Sequence, residues 1–474
     1  MLSLQQICEN VLDEIRPTRS EIEESYRVFL KVKERLQQKA DEKRLEIAFI
    51  ELEGSSGPKQ TQLRNKKELD VFIGLPLSVL ALSRPESLSK SALRKFFRKL
   101  VKEIALEAVT EAGSQFPSIA YAEHPYVSAS LDNYNLDIVF CFDLTPEYLL
   151  EKGPITAVDR TPHHSRFVDS HLSPNQRDHV RLLKAFLTST FVYGDASPVG
   201  RSGFTGFSTE MLIYHKQSFK SALKFLTHPA PTPLDYFTRP AQELKQLFNE
   251  PLIIVDPTDP NRNIASSISI RAHRYTTDNA QTLLQRPHAS FFSMQPIPVI
   301  KPVDLKSLGP NYFIIEFQDE TGWHYTKTRD KLYRYSTKLG KFLSHEPTGE
   351  LRFGTVIFEE VFDQQIFAIA LYIEKTDISP IFVREGPRAK FAKGVEEFRK
   401  KHPDAFQKDG RYQVSLHRNF TNAEHALRYF LTENPLSDKL SLIEITHRGS
   451  TKVGQQALWI LTRAVQPFES PLPT

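Results

Sequence analysis

Cysteine is almost absent from this 474-residue chain: Cys8 and Cys141 are the only two. That excludes a disulfide framework and a cysteine-based zinc site, and it suits a reducing cytoplasm. Long hydrophobic runs are also missing. The longest apolar stretch, residues 71–82, is broken by Gly74 and Pro76 and is too short to cross a bilayer. The first fifteen residues hold Glu9 and Asp13 and no basic segment, so no secretory leader is expected, and no membrane partner. Neither sign of charge dominates: 61 Lys and Arg against 57 Asp and Glu leave +4, a weak argument for a polyanionic partner. The chain has no internal repeat and no low-complexity tract. A content of 40% hydrophobic and 25% charged residues is that of a globular protein. At about 100–200 residues per domain, the length predicts roughly three domains.

The pattern along the chain places the boundaries near 152 and 290, giving regions 1–152, 153–290 and 291–474. Ile7, Val11, Leu12 and Ile15 share one face of a first helix. A second helix is expected to start at a Ser20-x-x-Glu23 capping box, with the stripe Ile22, Tyr26, Phe29, Val32 and Leu36. Strands are expected over 47–52, 69–75, 118–122 and 136–142. Leu93, Phe97, Leu100, Val101 and Ile104 mark an amphipathic helix between the second and third of them. Helical patterns dominate 175–226, and strand-rich sequence follows residue 295. The expected class is therefore α/β (α+β) and multidomain: a mixed sheet with helices, a helical centre and an α/β C-terminal region.

Chemistry concentrates in the stretch that begins at Gly54. Glu68 and Asp70 lie two apart in a strand pattern, so both project from one face, while Leu69, Val71 and Ile73 project from the other. Adjacent acids repel, and a divalent cation removes that conflict; Mg²⁺ takes carboxylate, phosphate and water oxygens. The turn 54–57 offers backbone N–H groups and hydroxyls of the kind that cradle phosphate. Asp137, in an apolar strand pattern, is the candidate third acid. Singly, these are an ordinary strand edge, an ordinary turn and a hydrogen-bonded structural acid; as an ordered set they resemble the signature of the polymerase-β-like nucleotidyltransferase superfamily.

Further segments narrow the resemblance: YAEHPYV (121–127), AVDRTPHH (157–164), RLLKAFL to VYG (181–194), GFTGFSTEML (203–212), DPTDPNRNIA (256–265) and REGPRAKF (384–391). Together they resemble the archaeal-type (class I) CCA-adding enzymes, tRNA nucleotidyltransferases. The resemblance implies template-independent addition of C, C and A to the tRNA 3′ end from CTP and ATP, with two Mg²⁺ ions and release of pyrophosphate. It implies a catalytic head domain over 1–152, a neck domain over 153–290 completing the nucleotide pocket, and a tRNA-binding body and tail over 291–474. Carried over, the catalytic and metal-binding acids fall on Glu68, Asp70 and Asp137, and the nucleotide-binding residues on Ser55, Lys59, His124, Thr161, His164, Lys184, Tyr193 and Arg262. Two features depart from the family pattern: an extra residue in the loop at Pro58, and His163 where an apolar residue is usual.

Arg177, Arg181 and Lys184 sit at i, i+4 and i+7, so the residues themselves predict a cationic stripe facing the acids and suited to a triphosphate. Zinc at His163 and His164 is disfavoured, because adjacent side chains diverge and no third ligand is evident. From 384 to 401 there are seven Lys or Arg and three Glu. Phe391, Val395 and Phe398 are expected to anchor a helix there, leaving Lys393, Arg399, Lys400 and Lys401 outward for an RNA backbone or simply for solvent. The resemblance favours RNA, specifically the acceptor stem and T-arm of tRNA. The competing readings are a template-independent nucleotidyltransferase of different product, partial CCA or a poly(A)-like tail, and a tRNA-binding protein without catalysis. The assembly state stays open, a homodimer included.

Overall fold

A computed structural model describes residues 2–80, 89–121, 124–194, 198–199, 202–323 and 325–465. Its contacts divide the chain into two compact units, Met1–Gln295 and Pro296–Thr474.

The first unit opens with α1 (Leu4–Ile15), which buries the four expected apolar residues, and α2 (Arg19–Glu42). The cap of α2 lies two residues before the expected one. Thr18 follows Pro17 and its hydroxyl accepts from Glu21 N, while the Glu21 carboxylate accepts from Thr18 N at 2.7 Å. Ser20 is thereby inside the first turn, and the buried stripe includes Ser25 and Val28, whereas Tyr26 is exposed. Then come β1 (Phe49–Glu53), β2 (Glu68–Leu75), α3 (Lys90–Leu100), α4 (Glu107–Glu111), β3 (Gln115–Tyr121), β4 (Pro125–Leu131) and β5 (Tyr134–Phe142). Of the expected third strand, Ala122 lies outside the described residues.

The five strands form one mixed sheet in the order β1-β2-β5-β4-β3, with β2 and β5 parallel. Strand alternation sorts its two faces. Ile50, Leu52, Leu69, Val71, Ile73, Leu136, Ile138 and Phe140 form a core with Val28, Phe29, Val32 and Leu36 of α2 and Leu93, Phe97 and Leu100 of α3. The opposite face is left for Asp70 and Asp137.

The rest of this unit contains α5 (Pro146–Lys152), α6 (Thr161–His171), α7 (Pro174–Ser189), α8 (Gly206–Lys216), α9 (Phe219–Leu226), α10 (Ala241–Leu247), the short strands β6 (Val255–Asp256) and β7 (Asp259–Asn263), and α11 (Ile270–Gln285). The β6–β7 pair escapes a periodicity search because its polar turn sequence has no alternating pattern.

In the second unit, α12 (Pro302–Ser307), β8 (Tyr312–Asp319), α13 (Tyr325–Ser344), β9 (Val356–Asp363), β10 (Ile366–Ile373), β11 (Ile381–Arg388), α14 (Ala392–Lys401), β12 (Phe406–Lys408), β13 (Arg411–His417), α15 (Ala423–Glu433), β14 (Leu440–Thr446) and α16 (Lys452–Ile460) follow in order. The strand-rich sequence expected after residue 295 supplies one antiparallel sheet, β14-β8-β10-β9, packed on α13 and α15 through Leu332, Leu339, Leu427 and Phe430. A second sheet, β11-β13-β12, carries α14. No helix among the described residues is long and apolar enough to cross a membrane.

Candidate active site

Parallel pairing of β2 and β5 sets Asp70 directly beside Asp137. Gly54, the first residue after β1, has φ +66°, and a Cβ there would lie 2.0 Å from Asp70 Oδ2. Only glycine permits this approach of the loop to the carboxylate. Burial, reinforced by the charges of Asp137 and Glu68, pushes the Asp70 carboxyl up to about 6. Glu68 is exposed at the start of β2, with Lys66 Nζ 3.4 Å away. Among the described residues, no three His, Cys, Asp or Glu side chains converge as a ready-made metal group. The donor set nevertheless fits a hard divalent cation: its oxygens are carboxylates, and the repulsion that raises the Asp70 carboxyl is what such an ion would relieve. A further acid, Glu53, lies opposite Asp70 across β1 and β2. It is buried, and burial lifts its carboxyl to about 7.

The loop between β1 and β2 is closed by Thr61 N donating to Ser55 O at 3.0 Å. Among the described residues the Ser55 hydroxyl makes no hydrogen bond, whereas Ser56 Oγ donates to Glu68 O at 3.1 Å. Within this loop, residues 57–60 make a tight turn in which Gln60 takes φ +50° and donates its N–H to Gly57 O.

Helix α7 uses its cations differently from the stripe expected to face the acids. Arg177 Nη1 donates to Pro58 O at 3.1 Å. Arg181 donates to Gln60 O and, at 3.0 Å, to Gln62 O. Lys184 Nζ donates to Thr61 O and Thr61 Oγ1 at 3.1 and 3.0 Å. The stripe faces backbone carbonyls because the loop descends along this face of α7 and would otherwise bury them without donors. Lys59 is also buried, with Nζ 3.0 Å from Glu210 Oε2 and over the Phe207 ring. Tyr193 Oη and Lys184 Nζ converge on Gly206, where a Cβ would meet them at 3.5 and 4.0 Å. Burial raises the Tyr193 hydroxyl pKa, with Glu210 and Glu68 adding to it.

A second polar knot surrounds Asp256, which is fully buried. His164 Nε2 lies 2.9 Å from Asp256 Oδ2, Arg262 Nη1 donates to the same oxygen at 2.7 Å, and Thr258 donates its N–H and hydroxyl to Oδ1. Because a carboxylate only accepts, His164 carries its proton on Nε2 here. Its ring stacks on Phe207 with centroids 3.8 Å apart. Burial lowers the His164 pKa against the pull of Asp256, while His164 and Arg262 hold Asp256 below the usual carboxylate range despite its burial. Arg262 remains 41% exposed, leaving the rest of its guanidinium accessible. Thr161 begins α6 on the same element as His164. His163 is buried too, as an apolar residue would be. His124 packs against core residue Phe97 with ring centroids 4.0 Å apart, and burial lowers its pKa to about 4. Ala122 and Glu123 of its motif lie outside the described residues.

In the second unit, Lys393, Arg399, Lys400 and Lys401 are all exposed on α14. The helix rests on β11, where the Phe398 ring lies against Gly386; Phe391, expected as an anchor, is 57% exposed because it sits at the N-cap, before the helical face begins. Arg384 and Arg388, part of the same basic run, belong to β11.

Two residues that hold these knots, Glu210 and Asp256, are missing from the sequence-based set. Both lie in segments that carry the resemblance, but neither stands out locally: Ser208 and Thr209 precede Glu210, and Thr258 and Asp259 follow Asp256.

Residues 178–293 match the family described as tRNA nucleotidyltransferase, second domain, and residues 352–439 match the CCA-adding enzyme, C-terminal domain. The CCA-adding enzyme of Sulfurisphaera tokodaii is 30% identical over 419 residues, covering 88% of this chain and 89% of that relative. The CCA-adding enzyme of Pyrobaculum neutrophilum is 28% identical over 390 residues, covering 80% and 83%. Among solved structures, E. coli MS115-1 CdnC with ATP aligns with a TM-score of 0.44 at 15% identity, over 61% of this chain and 95% of that one.

Proposed function

The chain belongs to the archaeal-type CCA-adding enzyme family, and from that premise we propose that it adds C, C and A without a template to the 3′ end of tRNA, from CTP and ATP. The tRNA 3′-hydroxyl attacks the α-phosphorus of the nucleotide, the new phosphodiester forms, and pyrophosphate leaves. The observation that carries this reading is the pairing of Asp70 with Asp137 beneath the loop at Gly54. Two Mg²⁺, held by Asp70 and Asp137 with Glu68, would supply charge neutralisation and activation of the hydroxyl. Ser55 offers its hydroxyl and the loop its N–H groups to the phosphates. Lys59, Lys184 and Tyr193 line the same pocket and favour a polyanion. Thr161, His164 and Arg262 contact the nucleoside side, where the guanidinium reads base edges. His124 supports the sheet behind the acids through Phe97. The exposed cations of α14, Lys393, Arg399, Lys400 and Lys401, hold the phosphate backbone of the acceptor stem and T-arm. In this reading 1–152 is catalytic, 153–290 completes the pocket, 291–474 binds tRNA, and the work is done in the cytoplasm.

The test is to incubate the protein with tRNA ending at the discriminator base, CTP, ATP and Mg²⁺, and to sequence the product. Addition of CCA followed by a stop is expected. A run of A or a truncated CC would make it a nucleotidyltransferase of different product, and no incorporation with intact tRNA binding would make it a binding protein.

A further inference from the structure

Glu210 has one carboxylate and three partners, two of which, Lys59 and Lys184, belong to the expected nucleotide-binding set. It lies on α8 and is 1% exposed. Thr61 Oγ1 donates to its Oε1 at 2.6 Å, Lys59 Nζ stands 3.0 Å from its Oε2, and Lys184 Nζ stands 3.5 Å from its Oε1. A buried carboxylate without such partners would neutralise itself. Two ammonium groups around one carboxylate leave this buried knot one positive charge in excess.

The two lysines are not equivalent. The three N–H donors of Lys184 are all directed inward, to Thr61 O, Thr61 Oγ1 and Glu210. Lys59 has one partner for its ammonium, Glu210, and lies over the Phe207 ring, so two of its N–H groups are uncommitted among the described residues. An anion entering the pocket therefore finds donors on Lys59, while Lys184 and Thr61 brace the carboxylate that holds Lys59 in place.

We propose that Glu210 is a positioning residue that aims Lys59 at the nucleotide phosphates, with Thr61 and Lys184 as its braces. The proposal rests on the nucleotide-pocket reading above. Charge supports the geometry. Burial draws the Lys184 pKa down to about 8 against the opposing effect of Glu210. Without the carboxylate, two neighbouring ammonium groups would repel each other in a poorly solvated site.

The experiment measures KM for CTP and ATP, kcat at saturating nucleotide and tRNA affinity for wild type, Glu210→Gln, Lys59→Met and the double variant. If Glu210 acts through Lys59, Glu210→Gln raises both KM values about tenfold with kcat within roughly threefold, and in the Lys59→Met background the same change costs less than about threefold. An unchanged KM, or the same loss in both backgrounds, overturns the proposal. So does a loss of kcat and melting temperature with KM preserved. If Glu210→Gln does not fold, Thr61→Val removes one brace and is read in the same cycle: a KM rise that depends on Lys59 upholds the proposal, and no rise overturns it. Wild-type incorporation of CTP and ATP separates the two levels. If it fails, the functional reading falls; if it succeeds and the cycle is additive, only this inference falls.

Discussion

Helix α7 carries Arg177, Arg181 and Lys184 on one face, and α14 carries Lys393, Arg399, Lys400 and Lys401. In sequence both read as basic amphipathic helices. In the structure, Arg181 and Lys184 of α7 are buried, and all three α7 cations donate to carbonyls of residues 58–62, with Asp169, Asp178 and Glu210 balancing their charge. The α14 cations point to solvent from a helix that buries no side chain fully. The same residue types thus tie a loop together in one place and leave a free electrostatic surface in the other. What lies opposite the helix decides which, and that is a tertiary fact no local pattern contains.

Breaking the catalytic side of the comparison has the largest expected effect. Asp70→Asn should lower nucleotide incorporation by more than about a hundredfold while tRNA affinity stays within a few-fold, as the proposed metal-holding charge is lost and the proposed RNA contacts are kept. Retention of more than roughly a tenth of wild-type turnover would remove the two-metal assignment.

The internal role of α7 is sharpened by Arg181→Ala. The buried Gln62 carbonyl and the half-buried Gln60 carbonyl lose their donor while Asp178 keeps Arg16, so urea unfolding should show a loss of about 1–3 kcal/mol. Alanine at the four α14 cations should each stay within about 0.5 kcal/mol. Equal losses in both helices would erase the distinction.

A change at the second polar knot should act on selectivity. Arg262→Ala removes a guanidinium braced by Asp256, and misincorporation of UTP and GTP relative to CTP and ATP should rise by roughly tenfold or more. Unaltered misincorporation would withdraw the base-reading role.

Acid sensitivity separates the core from both helices. The folded pKa of His124 lies near 4, below its unfolded value, so the unfolded chain binds the extra proton between those values. Its contribution to stability is full at neutral pH and declines as pH falls through the usual histidine range, by about 2 kcal/mol at pH 5. His124→Phe should flatten that part of the urea-midpoint profile. An equally steep profile in the variant would place the sensitivity elsewhere.

The α7 case also shows how far the sequence could be read. The strands with their acids were legible because alternation separates Asp70 from Leu69 and Val71, and only the register across β2 and β5 had to come from the fold. The first helix was legible from four apolar residues. The cap of α2 differs from the expectation because the sequence holds two overlapping capping boxes, Thr18-x-x-Glu21 and Ser20-x-x-Glu23, and the fold uses the first. Phe391 was misread because a helix boundary one residue away turns an anchor into a cap. The motifs place Lys59 and Lys184 in the expected nucleotide-binding set, but their common partner Glu210 lies 26 residues beyond Lys184. A buried ion pair leaves no periodic trace. Asp256 is hidden in the same way, buried within the 256–265 segment beneath Arg262.

The contrast between tying and gripping cations is tested most directly by the salt dependence of binding to a tRNA minihelix. Fluorescence titrations at several salt concentrations should be run on wild type, the variant with Lys393, Arg399, Lys400 and Lys401 changed to Ala, and Arg177→Gln. The account predicts that the α14 variant binds every minihelix more weakly and loses roughly 0.7–0.9 of log–log slope per phosphate contact, while Arg177→Gln keeps the wild-type slope. A wild-type slope in the α14 variant, or a flattened one in Arg177→Gln, would contradict it.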